Sequence, residues 1–148
     1  MAIIAILALM TIPMFFAKIP REQVEESLPL AKIAKDKVAE YYSNSKTGVL
    51  PANNEAAGLP EANKLVSKYV TAVTVADGAV TITFGNESNG KINGKRLTWR
   101  PAVAKETPLA LKWPLDWFCA SKKVPDTMNV GGVNVTDVPR DVLPVECR

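Results

Sequence analysis

MAIIAILALMTIPMFFA, residues 1–17, carries no charged side chain. Ile, Leu, Ala, Met and Phe fill it, and Thr11 and Pro13 are its interruptions. As a helix this run spans roughly 26 Å, a little short of the ~30 Å hydrocarbon core of a bilayer. A secretory signal peptide fits poorly: no basic residue precedes the run and no small-x-small cleavage site follows it. A buried core helix fits poorly too, because the segment is apolar on every side and one small domain has little to wrap it with. The run therefore reads as a membrane segment. Pro13 removes one helical hydrogen bond, so a kink or local unwinding is expected near residues 9–13.

From Arg21 the pattern changes. Val24, Leu28, Ala31, Ala34 or Lys35, Val38 and Tyr41 or Tyr42 recur at spacings of three and four. Charged residues, among them Glu22, Glu25, Lys32, Asp36 and Glu40, fill the other faces. That is a helix lying with one stripe on a partner surface. It is expected to run to about Thr47, bend at Pro20 and Pro29, and stop at Asn44, Ser45 and Gly48, with Gly48 as C′ residue. The two pieces read as one long helix, greasy in its first part (residues 1–17) and amphipathic in its second (18–47).

A chain of 148 residues supports one domain with a modest core. The net charge of +3 predicts no strong nucleic-acid partner by itself. The absence of histidine removes the commonest general base and metal ligand. Cys119 and Cys147 cannot make a structural zinc site alone; behind a membrane segment, in an exported head, they read as a disulfide rather than as two free thiols.

Residues 48–68 read as a connecting loop, with a short helical turn at 60–66. Residues 69–75 (YVTAVTV) and 79–84 (AVTITF) alternate and are rich in β-branched types, and Asp77-Gly78 between them signals a tight hairpin. Residues 85–94 (GNESNGKING) are turn-rich. Residues 95–100 (KRLTWR) read as a third strand closed by Pro101, and 109–118 (LALKWPLDWF) as a fourth, with Pro114 arguing for an edge or bulge. Trp99, Trp113 and Trp117 read as core or sheet-covering residues. After Cys119 the chain is expected to be loop to its end.

This order, long helix, loop, antiparallel hairpins and a C-terminal loop between cysteines, resembles the type IVa pilins. The pieces that carry the resemblance are residues 2–8 (AIIAILA) with Ile12-Pro13, 21–28 (REQVEESL), 38–42 (VAEYY), 78–84 (GAVTITF), 97–101 (LTWRP), Trp117-Phe118-Cys119 and 143–148 (LPVECR). The resemblance implies an α+β fold: a long N-terminal helical spine packed on a four-stranded antiparallel sheet (69–118), and a loop bounded by the Cys119–Cys147 disulfide (119–147). It implies a globular head over 18–148. It implies a subunit stored in the inner membrane and polymerised by assembly machinery into a surface filament that serves adhesion and twitching motility. Ile3, Ile4, Ile6, Leu7, Leu9, Ile12 and Pro13 would then line the filament core, and the partners are other pilin subunits, with a host surface or DNA outside. The family's basic leader ending in Gly, its N-methylated Phe and the Glu that follows are absent from the 148 residues. Aligning Pro13 with the family proline implies about nine further helical residues before Met1, roughly 13 Å. The chain is thus expected to be a fragment or to have a misassigned start, with a degenerate copy as the alternative.

No cofactor is implied, and enzyme chemistry lacks its parts: no histidine, no phosphate-binding glycine motif, no nucleophile elbow. Lys91, Lys95, Arg96, Arg100, Lys122 and Lys123 would form a basic stripe if the 85–94 turn adjoins the start of the disulfide loop, which suits a minor pilin that binds DNA; a solvated surface is the plainer reading. A secretion pseudopilin is the third alternative, against which the C-terminal disulfide loop argues. Asp116, Asp126, Asp137 and Asp141 are scattered carboxylates in or near the C-terminal loop, where a weak calcium site is the lesser reading. Asn86-Glu-Ser88 and Asn134-Val-Thr136 fit the glycosylation pattern, which is frequent by chance.

Overall fold

The computed structural model describes residues 2–106 and 115–148, and the side chains of 18–106 and 115–148. Helix α1, Ala2–Asn44, is unbroken for 43 residues. It passes through Pro13, Pro20 and Pro29 without the unwinding expected near residues 9–13. Among the described residues no helix is long and apolar enough to cross a membrane.

The second part of α1 buries Pro20, Val24, Ser27, Ala31, Ala34 and Val38, the three- and four-residue spacing that a helix needs to lie on a surface. Ser27, not Leu28, holds the third of these positions. Its hydroxyl donates to Gln23 O at 2.8 Å, so the buried polar group is satisfied on its own helix. With serine and alanines in the stripe, the helix sits close to the sheet. α1 ends at Asn44, three residues before the expected limit. Ser45 N–H still reaches Tyr41 O at 2.9 Å, and the Ser45 hydroxyl then accepts from Val49 N–H at 3.2 Å, turning the chain away. Gly48 has φ 67° but lies in the following loop, so it is not the C′ residue.

The sheet is antiparallel throughout: β1 (Val70–Ala76), β2 (Ala79–Phe84), β3 (Arg96–Ala104) and β4 (Asp116–Cys119) in that order, with β5 (Met128–Val130) paired to β3. Val73, Val75, Val80, Ile82, Phe84, Leu97 and Trp99 join the helix stripe in one core. Burying each large aliphatic side chain contributes about 1.5–3 kcal/mol. Asp77 (φ 48°) and Gly78 (φ 82°) make the left-handed pair that a two-residue hairpin demands.

Two expectations are corrected. β3 does not stop at Pro101 but runs to Ala104. Pro101 O accepts from Gly131 N–H at 2.8 Å, so the missing proline N–H faces the same side, where β3 changes partner from β2 to β5 and no donor is needed. The stretch after Cys119 is not all loop, because β5 forms there. The fourth strand is seen as Asp116–Cys119; its expected part at 109–114, with Trp113 and Pro114, lies outside the described residues. The short turn expected at 60–66 is a 3-10 turn, Ala62–Lys64.

The loop between α1 and β1 is fastened by Asn54. Its Nδ2 donates to Val73 O at 2.9 Å and Pro60 O at 3.0 Å, and its Oδ1 accepts from Val75 N–H at 2.7 Å. The side-chain amide thus stands in for a neighbouring strand on the outer edge of β1. Asp77 and Gly78 at the hairpin tip donate to Ala52 O and Pro51 O (3.2 and 2.8 Å).

Candidate functional site

Cys119 ends β4, and Cys147 lies in the last 3-10 turn, Val145–Cys147. The two are joined as a disulfide with Cα atoms 4.8 Å apart, and both are buried in the core. Between them the chain goes out to β5, then crosses the end of the β1–β2 hairpin at Gly131-Gly132. A Cβ on Gly131 would strike Leu50 and come within 2.9 Å of Asp77 O; one on Gly132 (φ 69°) would strike Ala79 and come within 2.8 Å of Ala76 O. Only glycine passes this close to the hairpin backbone.

The returning segment then seals the β3 edge that β4 leaves open. Thr98 N–H donates to the Thr136 hydroxyl (2.9 Å), Asp137 N–H donates to Arg96 O (3.0 Å), and the Asp137 carboxylate accepts from Arg96 N–H. The Thr98 and Thr81 hydroxyls meet at 2.9 Å. The turn Arg140–Val142 packs on α1, where Arg21 Nη2 donates to Asp141 O at 2.7 Å. One loop therefore ties helix, hairpin and sheet edge together.

The basic residues singled out in the sequence do not make one free stripe. Lys91 is bound to Asp141 and Arg96 to Asp137. Arg100 donates through Nη2 to Ala120 O (3.3 Å) and Lys122 O (3.0 Å), bracing the start of the disulfide loop. Lys95, Lys122 and Lys123 are exposed, with no ion pair among the described residues. The same contacts occupy two of the four scattered carboxylates. The Lys91 ammonium, by its hydrogen bond, holds Asp141 below the ordinary carboxylate pKa of 3.8. Among the described residues no group of three or more His, Cys, Asp or Glu is placed to hold a metal ion. Of the two glycosylation patterns, Asn86 uses its Nδ2, the atom a glycan would take, to donate to Ser67 O (2.9 Å) and Val70 O (3.0 Å). Asn134 turns its side-chain oxygen to Thr136 N–H at 3.1 Å.

The filament-core residues proposed from sequence, Ile3, Ile4, Ile6, Leu7, Leu9, Ile12 and Pro13, all lie on the backbone of α1; their side chains are outside the described set. On the described part of the helix, Ile19 and Ile33 are exposed, and Ile33 lies across the helix from the buried Ala31–Ala34 stripe.

Sequence reasoning missed a groove of about 660 Å³ between α1 and β4, lined by Leu28, Lys32, Lys35, Trp99, Trp117 and Glu146. The register pairs Trp99 with Cys119 and Pro101 with Trp117, so the two indoles are diagonal neighbours on one face. Lys35 Nζ lies 5.5 Å from the Trp99 ring and 5.9 Å from the Trp117 ring. Burial lowers the Lys35 pKa, against the pull of Asp36 and Glu146. The signal was present in the sequence as an ambiguity, since Ala34 and Lys35 competed for one position of the stripe.

Comparison with known proteins gives one consistent answer. Residues 20–148 match the family described as Pilin, a bacterial filament protein. A "Fimbrial protein" of Neisseria meningitidis serogroup A is 38% identical over 120 residues, 80% of this chain and 65% of that protein. The chain thus spans just under two thirds of that relative's length. A "Fimbrial protein" of N. meningitidis serogroup B is 34% identical over 91% of this chain and 75% of its own. The "Type IV major pilin protein PilE" of Neisseria gonorrhoeae is 36% identical over 91% and 74%.

Proposed function

The chain belongs to the type IV pilin family, and from that we propose that it is a structural subunit of a pilus, assembled with other copies through α1 into an extracellular filament. The supporting observation is that a single unbroken α1 joins the apolar run to the stripe docked on the sheet. A helix apolar on all sides needs lipid or copies of itself. We accordingly propose an inner-membrane stage before assembly, hand-over by the assembly machinery, and roles in adhesion and twitching motility for the finished filament. The contact with outside surfaces would fall on the exposed residues of the 85–94 turn, such as Glu87, Gly90 and Lys91, and on the disulfide loop, where Val133 and Val145 are 74% and 78% exposed.

The test uses the outward face of α1. Ile33→Glu removes apolar surface that the isolated subunit leaves 53% exposed. Head stability should stay within about 0.5 kcal/mol of wild type, while the amount of protein in filaments sheared from cells falls. Unchanged filament yield would remove the helix face from the assembly contact. DNA binding remains the second reading, supported by the uncompensated Lys95, Lys122 and Lys123. A filter-binding titration across salt tests it: affinity falling steeply with salt supports it, and none at low salt removes it.

A further inference from the structure

Residues 85–94 hold two Asn–Gly steps, Asn89-Gly90 and Asn93-Gly94. At such a step the backbone nitrogen of the glycine reaches the asparagine side-chain carbonyl with little obstruction, because glycine lacks a Cβ. The two steps look alike in sequence and differ in the fold. Gly94 N–H donates to Phe84 O at 2.9 Å, closing the connection between β2 and β3, so its nitrogen is engaged. Gly90 N–H has no acceptor among the described residues; the residue is exposed, and a Cβ there would meet nothing within 4 Å. The Asn89 side-chain oxygen accepts from Lys91 N–H at 2.9 Å. That bond folds the side chain over the Gly90 peptide and polarises the carbonyl to be attacked.

We propose that Asn89 is a site of spontaneous deamidation and that the fold protects Asn93. Gly90 N loses its proton to solvent base and attacks Asn89 Cγ. The bond from Cγ to Nδ2 breaks, and Nδ2 leaves as ammonia with a proton from solvent, giving a cyclic succinimide. One water then opens the ring at either carbonyl, to aspartate or isoaspartate. The reaction consumes one water, releases one ammonia and needs no redox partner. The product matters structurally. Asn89 N–H donates to Gln23 Oε1 at 2.7 Å, which docks this turn on α1, and isoaspartate lengthens the backbone at that point. The new carboxylate also falls two residues from Lys91, whose ammonium is paired with Asp141.

The test is incubation of the intact folded protein at mildly alkaline pH, sampled over time and mapped by peptide mass and isoaspartate content. Cleavage after Lys91 puts the two asparagines on separate peptides. Asn89 should convert about five- to tenfold faster than Asn93, the factor by which one hydrogen bond holds Gly94 back. In urea the two rates should converge. Gly90→Ala, at a position without a left-handed backbone, should slow conversion at Asn89 and leave Asn93 unchanged. Equal rates in the folded protein, faster conversion at Asn93, or an inert Asn89 while the urea control converts would overturn the proposal.

Discussion

Removing the amide of Asn54 should open the outer edge of the sheet. Asn54→Ala deletes three hydrogen bonds: to Val73 O (2.9 Å), to Pro60 O (3.0 Å) and from Val75 N–H (2.7 Å). Pro60 O, only part-buried, regains a water. Val73 O and Val75 N are buried and have no other partner within reach of a replacement side chain. An unsatisfied buried polar group costs about 1–3 kcal/mol, so the pair costs about 4 kcal/mol together. With a urea m-value of about 2 kcal/mol/M, the midpoint should fall by about 2 M. The assay is urea unfolding of the full chain in mild detergent, followed by tryptophan fluorescence, with hydrogen exchange at the Val75 amide as the local reporter. Asn54→Asp separates hydrogen bonding from volume. It keeps an acceptor for Val75 N–H but turns a carboxylate oxygen toward two carbonyls, so it should be no better than alanine. A loss below about 1 kcal/mol for Asn54→Ala, or a near wild-type Asn54→Asp, would show that the amide does not hold the β1 edge.

Gly132→Ala forces a left-handed residue and a Cβ against Ala76 O, and should lower stability by about 3 kcal/mol, read as a fall in the urea midpoint. Replacing Cys119 and Cys147 together by alanine frees a loop with a sequence separation of 28 and should cost about 3.5 kcal/mol on the chain-entropy account; exchange protection should be lost between them while α1 keeps its own. Lys35 has its pKa lowered by burial from 10.5, so the folded chain holds that proton less tightly than the unfolded chain. Stability should therefore rise with pH between the lowered value and 10.5, and Lys35→Met should abolish that rise in urea midpoints taken across the alkaline range.

The features read correctly from sequence are those with a local period. The α1 stripe follows from its three- and four-residue spacing, and the hairpin from Asp77-Gly78 between two alternating runs. What escaped was decided by distant partners. β5 is three residues long and exists because β3 offers a free edge at residues 102–104, which no local pattern announces. Pro101 looked like a strand end because its missing N–H is harmless only at a change of partner. Asn54 reads as a loop residue until its amide is seen against Val73 and Val75. The carboxylate partners of two basic residues escaped for the same reason: Asp137 and Asp141 lie 41 and 50 residues from Arg96 and Lys91, yet pair with them.

As a pilus subunit, the chain should enter a filament with other copies through α1. Immunogold electron microscopy on cells that express the protein, with matched blots of the sheared surface fraction, tests it most directly. Gold along the length of surface filaments, with the protein recovered in the sheared fraction, is the expected result. Protein confined to the cell-associated fraction, with filaments unlabelled, would contradict it.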